Sequence, residues 1–422
     1  MDSKIKTLHH ELKTGNRTCI ALVHEKLALL SANTSDSVHM LLADFASAQA
    51  EKVDEKIKSG KPIGLLEGIP FGISDTILVQ NSIASGNSAF LNQYVAPYTA
   101  TAIFKLIEAG AIPVVKEKGD SFGHGPTNGG ALHVANGYTV FSVGGDTGGS
   151  IRQSAGLHHV CGMKPTYGKI SRYGLMADAS SIDCIGMLAT SLEDIRILLN
   201  AMSGKDPHDL TTYSSVDIPE TVFSSGDVKV VGYYKDFLDN AFVNDAFKSD
   251  FQAMLDILSS RQIKVVSLDF FDMNAVEAAF YVLEMAETAS NLARLDGSLY
   301  GARSENVSDK ESYLKTRAEY FSDETKRRII GGSLASSRDF EDIYLKAKEL
   351  QNTIIKRFNA DFHTVDVILS PVCIDARPCV FTLGGLPSLS VPFFTQTGIQ
   401  ITANKKREDQ ILHVAHVLKE LY

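Results

Sequence analysis

Tryptophan is absent from the 422 residues, and cysteine occurs only five times. The missing tryptophan excludes nothing. The cysteines (Cys19, Cys161, Cys184, Cys373 and Cys379) are odd in number and contain no Cys-x-x-Cys pair. That pattern fits reduced thiols and argues against a disulfide framework or a zinc site. Positive charge is also in short supply, with 41 Lys and Arg against 50 Asp and Glu for a formal net charge of -9. Such a chain does not by itself grip phosphate backbones, which needs a basic patch, although nucleic acid held by a partner is compatible with it. No apolar run reaches the roughly 18 to 20 residues of a membrane span. The segment Met1–Lys13 mixes acidic and basic residues, unlike a secretory signal or a transit peptide. The nucleotide-loop patterns GxxxxGK[ST] and GxGxxG are missing too.

What is present reads as α/β. Apolar residues recur at near-helical spacing from about Ile5 to Lys61, at Leu8, Leu12, Cys19, Leu22, Leu27 and Leu30 among others, which predicts amphipathic helices. A short apolar strand is expected within Gly64–Asp75. A helix over Thr99–Ala109 leads through Gly110 into a strand at Ala111–Val115. Further strands are expected at Tyr138–Val143, Lys229–Tyr234, Ile263–Leu268 and Asp366–Pro371. Long helices are expected at Ala275–Ser298, Ser312–Gly331 and Arg338–Phe358, and a closing helix at Glu408–Leu421. Strands and helices alternate without a repeat period, as they do around a central sheet. The expected organisation is N-terminal helices (1–60), a core (61–234), an inserted helical sub-region (235–360) and a C-terminal part of the core (361–422).

One segment carries chemistry. The strand ending at Val143 runs into Gly144-Gly-Asp-Thr-Gly-Gly-Ser150. Glycines let the chain turn tightly and expose several backbone N–H groups. A serine at the end of such a turn can attack a carbonyl carbon while those N–H groups hold the developing oxyanion. By itself the string is equally compatible with a tight structural turn and a capping serine.

The wider string resembles the amidase signature family, in the form written by the A-type branch of the glutamyl-tRNA(Gln)/aspartyl-tRNA(Asn) amidotransferases. The resemblance is carried by Gly144–Gln153, Gly162-Met-Lys-Pro-Thr-Tyr-Gly168, Ser171-Arg-Tyr-Gly-Leu175 and Ser180-Ser-Ile-Asp-Cys-Ile-Gly186. It continues through Gly68-Ile-Pro70, the run ending at Thr101, Lys326-Arg-Arg-Ile329, Asp366–Pro371 and Gly385–Pro392. It implies a mixed central sheet flanked by helices, with Ser150 as nucleophile. It also implies an oxyanion hole at the N–H groups of Thr147, Gly148 and Gly149, and a loop-bracing role for Arg152. Arg327 or Arg328 matches the family's arginine for the substrate carboxylate. No cofactor is implied in this chain. The implied substrate is glutamine, and the implied partners are a B-type subunit together with a small C- or F-type subunit. ATP, Mg²⁺ and tRNA would be held by the partner, and the setting would be a bacterial cytoplasm or a mitochondrial matrix.

The pattern is broken at three places. The family's buried lysine base falls where this chain has Ser74, in Gly68-Ile-Pro-Phe-Gly-Ile-Ser74-Asp75. The second serine of the relay is not evident in Gly125-Pro-Thr-Asn-Gly-Gly-Ala131, where Thr127 is the nearest hydroxyl. The family's aspartate for the glutamine amino group would lie between Pro378 and Gly384, in a loop that is shortened here. The expectation is therefore either the glutamine-hydrolysing component of an amidotransferase or a divergent relative: one with impaired or absent catalysis and a structural role, or a free-standing amidase for another amide. Lys116, Lys118 and Lys164 are weighed as substitute bases, and His124, His133, His158 and His159 as partners of a Ser/His/Asp triad. A metal site at His158, His159 and Cys161 is disfavoured, because adjacent residues point apart. Asp75 and Asp146 are expected to brace loops. The charge run Lys405–Asp409 is expected to be a solvated turn.

Overall fold

Among the described residues, short runs of β-branched and apolar residues build eleven strands, which a computed structural model joins into one sheet. The structure describes residues 2–123, 129–224, 227–238, 243–270, 272–305, 308–372, 379–393 and 396–421. The strands are β1 (Val38–Leu41), β2 (Pro70–Ser74), β3 (Ile112–Glu117), β4 (Phe141–Asp146), β5 (Cys161–Lys164) and β6 (Cys184–Ala189). They continue with β7 (Val230–Tyr234), β8 (Lys264–Leu268), β9 (Val367–Pro371), β10 (Ser388–Phe393) and β11 (Gln396–Ala403). Their order across the sheet is β1-β3-β2-β4-β6-β5-β10-β11-β9-β7-β8. β3, β2 and β4 run parallel, as do β9, β7 and β8, and the strands between β4 and β9 pair antiparallel. The central strands are buried at nearly every position, as expected of a sheet covered by helices on both faces. Phe71 and Phe141, register partners on β2 and β4, stack at 4.8 Å and help fix the strands that carry the site.

The mixed α/β architecture is the expected one, with local differences. The N-terminal region holds helices Lys4–Thr14, Cys19–Ala32 and Ala43–Lys58, but also β1, which pairs antiparallel with β3. The strand expected at Tyr138–Val143 begins at Phe141 and extends to Asp146. The single helix expected over Ser312–Gly331 is two, Asp309–Tyr320 and Asp323–Ala335. Ser322 caps the second by accepting the Thr325 N–H at 3.2 Å, and Asp323 and Glu324 complement its N-terminal dipole. The stretch 235–360 is mostly helical yet contributes β8 to the sheet edge. Its helices Met273–Asn291 and Asp323–Ala335 pack closely because Gly332 has no side chain. A Cβ there would lie 1.8 Å from the Met285 carbonyl oxygen. No helix among the described residues is long and apolar enough to cross a membrane.

The free thiols expected from sequence are seen at three positions, where Cys19, Cys161 and Cys184 are free and buried. Burial pushes the Cys19 and Cys161 thiols up to about 12, so neither is a nucleophile near neutral pH. The Lys405–Asp409 turn differs from expectation at one residue. Glu408 is fully buried, accepting the Thr166 N–H at 3.0 Å and pairing with Lys169 at 3.4 Å.

Candidate active site

The end of β4 sets the site. Asp146 closes the strand, Thr147–Gly149 turn the chain, and Ser150 opens the helix Ser150–Leu157. The turn requires Gly149, whose φ of +122° is a region that L side chains rarely adopt. Ser150 is half-buried, and its Oγ donates to the Gly145 carbonyl at 2.7 Å. The helix N-terminus behind it favours negative charge. Below the turn the buried Arg152 clamps Asp146 with two bonds, Nε to Oδ2 at 3.0 Å and Nη2 to Oδ1 at 2.8 Å. It also donates to Gln400 Oε1 at 3.0 Å and to Thr382 Oγ1 at 2.8 Å. The expected bracing role of Arg152 and Asp146 matches this geometry.

Ser150 faces a cleft that Ser74 and Thr147 also line. Ser74 ends β2, and its Oγ lies 3.0 Å from Thr76 Oγ1. Of the three lysines weighed, Lys118 alone lines this cleft, and its ammonium is paired with Asp36. Lys116 is fully buried beneath the loop after β2, donating to the Ile77 carbonyl and pairing with Asp75 at 3.4 Å. Asp75 in turn accepts from the N–H of Ser85 at 3.0 Å and of Asn87 at 3.3 Å. Lys164 is buried as well, donating to the Pro165 and Leu386 carbonyls. Burial pulls both Lys116 and Lys164 below the ordinary lysine value, but neither lines the cleft.

Among the described residues, His133, His158 and His159 do not form a triad with Ser150. His158 and His159 follow the C-terminal end of the Ser150 helix, about 12 Å along its axis from the serine at 1.5 Å per residue. His133 is buried between Glu117 (Nδ1 to Oε1, 3.0 Å) and Ser37 (Nε2 to Oγ, 2.8 Å). His124 and Thr127 lie outside the described residues. The two candidate arginines separate. Arg327 is exposed and paired with Glu324. Arg328 is buried and forms an ion pair with Glu284 across the Gly332 helix contact, with a second bond to Glu324 Oε1 at 2.7 Å. Burial pulls Arg328 below the ordinary arginine value, and the carboxylate of Asp178, a cleft residue, opposes that shift.

The cleft also contains groups not singled out in the sequence: Thr76, Asn87, Asp120, Phe122, Leu175, Met176 and Asp178. They come from stretches far apart in sequence, around Thr76, Asn87, Asp120–Phe122 and Leu175–Asp178. Asp183 completes the wall and accepts the Thr147 hydroxyl at 2.6 Å and the N–H groups of Asp178 and Ala179 at 3.1 and 3.2 Å. Burial, joined by the Asp178 carboxylate, pushes Asp183 up to about 6. A carboxyl raised above its ordinary 3.8 holds its proton more tightly folded than unfolded. Its contribution to stability is therefore complete below about pH 4 and lost as pH rises through about 6. Asp183→Asn is expected to flatten that part of the denaturation midpoint against pH. An unchanged slope from pH 4 to 6.5 contradicts the assignment.

A family model described as Amidase matches residues 21–128 and 125–380. The chain belongs to the amidase family. Among curated relatives, the A subunit of the glutamyl-tRNA(Gln) amidotransferase of Synechococcus elongatus is 35% identical over 476 aligned residues, covering 99% of this chain and 98% of that protein. The corresponding protein of Nostoc punctiforme, with the same name, is 35% identical over 481, covering 99% and 97%. Of solved structures, the glutamyl-tRNA(Gln) amidotransferase A subunit of Thermotoga maritima superposes with a TM-score of 0.75 at 25% identity, over 96% of this chain and 91% of that one. The native peptide amidase of Stenotrophomonas maltophilia superposes with a TM-score of 0.82 at 19% identity, over 100% and 97%, and shares the fold. This amidase-family chain is shorter than its alignments to the curated relatives.

Proposed function

We propose that this amidase cleaves a primary amide through Ser150 and serves as the ammonia-supplying component, the A subunit, of a tRNA-dependent amidotransferase. The supporting observation is the placement of Ser150 at a helix N-terminus, after a glycine turn, in a cleft shared with Thr147 and Ser74. In the proposed reaction the Ser150 oxygen bonds to the amide carbon and the C–N bond breaks. Nitrogen leaves as ammonia with the serine proton, and water then cleaves the ester to the free acid. The N–H groups of Thr147, Gly148 and Gly149 are assigned to the oxyanion. Glutamine would be the amide, and a B-type partner carrying ATP and Mg²⁺, with a small C- or F-type subunit, would use the ammonia on Glu-tRNA(Gln). The purified chain, alone and with its B-type partner, is expected to release ammonia from glutamine in a Ser150-dependent manner. No release above the Ser150→Ala background, even in the complex, contradicts this assignment.

A second reading is favoured by one observation. Arg328, the buried arginine of the candidate pair, is already neutralised by Glu284. With Ser74 at the lysine position as well, Ser150 would act on an amide that carries no α-carboxylate, or the fold would serve assembly without chemistry. Hydrolysis of neutral amides in the absence of glutaminase activity separates the first of these from the second.

A further inference from the structure

The cavity beside Ser150 measures about 40 Å³. At roughly 10–15 Å³ for each water-sized group, it takes the heavy atoms of a carboxamide and little more. Any charged head on the amide therefore lies toward the mouth of the cleft. Among the described residues that line the cleft, Lys118 is the single lysine or arginine, alongside the carboxylates of Asp120, Asp178 and Asp183. Neither arginine matched to the substrate carboxylate lines it. Arg327 pairs with Glu324, and Arg328 is buried against Glu284 with a second bond to Glu324.

The sheet places Lys118. Glu117, the last residue of β3, is the register partner of Ser74 on β2, so Lys118 follows one residue beyond the serine that lines the cleft. Its backbone is held on both sides: the N–H donates to the Ser37 carbonyl at 2.8 Å, and the carbonyl accepts the Gly129 N–H at 2.9 Å. The side chain is 37% exposed and pairs with Asp36, which is 88% exposed. An ion pair this open to water contributes little and exchanges readily for another carboxylate. Arg328 has no such freedom, because its departure would strand the buried Glu284 without a counter-charge.

We propose that Lys118 takes the α-carboxylate of the amide substrate, in place of the arginine that the resemblance implies. The inference deepens the first reading above, glutamine hydrolysis at Ser150, and rests on it. Three aspartates in the same cleft disfavour a bare anion. They favour an amide that brings its own cation, as glutamine does in its α-ammonium. The substrate class is therefore an α-amino acid with a side-chain carboxamide.

Calorimetric titration of the full chain carrying Ser150→Ala, with L-glutamine and with butanamide, tests it. Glutamine is expected to bind more tightly, and Lys118→Met should cut the ratio of the two affinities about tenfold, the effect of losing a hydrogen bond to a charged group. Asp36→Asn, which releases the Lys118 ammonium, should instead tighten glutamine about two- to fivefold. A purely structural Lys118–Asp36 pair would not give these opposite signs. 4-Carbamoylbutanoate, which is glutamine without its α-ammonium, should bind more weakly than glutamine. Thermal melting judges folding of each variant. An unchanged ratio in folded Lys118→Met overturns the proposal, as does an Asp36→Asn variant that fails to tighten glutamine, or 4-carbamoylbutanoate binding as tightly as glutamine. Failure of the glutamine-hydrolysis reading looks different: glutamine binding depends on Lys118, but the natural chain releases no ammonia from it above the Ser150→Ala background, even with its B-type partner.

Discussion

Replacing Ser74 with lysine is expected to raise the rate of amide hydrolysis by about 10²- to 10⁴-fold, the usual contribution of a positioned general base. A serine hydroxyl cannot accept the Ser150 proton near neutral pH, whereas an amine with a depressed pKa can. The backbone at position 74 is well fixed, because β2 pairs in parallel with both β3 and β4. Its side chain already faces the cleft. Partial burial would push a lysine there below its ordinary value, toward a working base. The rate of ammonia release from a panel including glutamine and butanamide is the measurement. No increase in the folded Ser74→Lys variant would contradict the assignment of the missing base to position 74.

The largest effect on stability is expected at Arg152. Its guanidinium is fully buried and binds Asp146 at two points while tying the Ser150 helix to Thr382 and Gln400. Arg152→Met removes the cation and leaves the equally buried Asp146 uncompensated. Breaking one side of a buried pair in this way costs about 3–5 kcal/mol. Removing both partners, as in Arg152→Met with Asp146→Leu, should recover a large share of that loss, because no lone buried charge remains. Urea denaturation checks both, and a single-variant loss below about 1 kcal/mol would contradict the bracing role. The same variant should weaken any reaction at Ser150, since Arg152 holds the strand end from which the turn departs.

The part of the site carried by contiguous residues is legible in the sequence. A strand running into a glycine-rich turn that ends at Ser150 is readable from Gly144–Ser150, and the structure has that form, with the strand carried on to Asp146 and Ser150 half-buried. The serine at position 74, where the resemblance implies a lysine, is equally visible, because it sits inside a recognisable stretch. What depends on distant contacts is hidden. Arg327 and Arg328 are adjacent in sequence, and only the packing of two helices through Gly332 decides which is buried against Glu284. Phe122, Leu175 and Met176 meet across loops, so periodicity says nothing of them. β1 escapes a periodicity reading because it is four half-buried residues whose strand character comes from pairing with β3. The break at Ser322 is masked because apolar spacing runs on across it, although Ser322 with Asp323 and Glu324 is a helix-start signal. The burial of Glu408 is hidden for the same reason as that of Arg328, since its partners Thr166 and Lys169 lie far away in sequence.

The central claim is that Ser150 is a nucleophile poised in an amidase cleft whose proton relay is altered at Ser74. Intact-mass analysis after exposure to a fluorophosphonate serine probe tests it most directly, in the natural chain, Ser150→Ala and Ser74→Lys. One adduct, mapped to Ser150, absent in Ser150→Ala and formed much faster in Ser74→Lys, is the expected result. An adduct on another serine, or equal labelling rates in the natural chain and Ser74→Lys, would contradict the account.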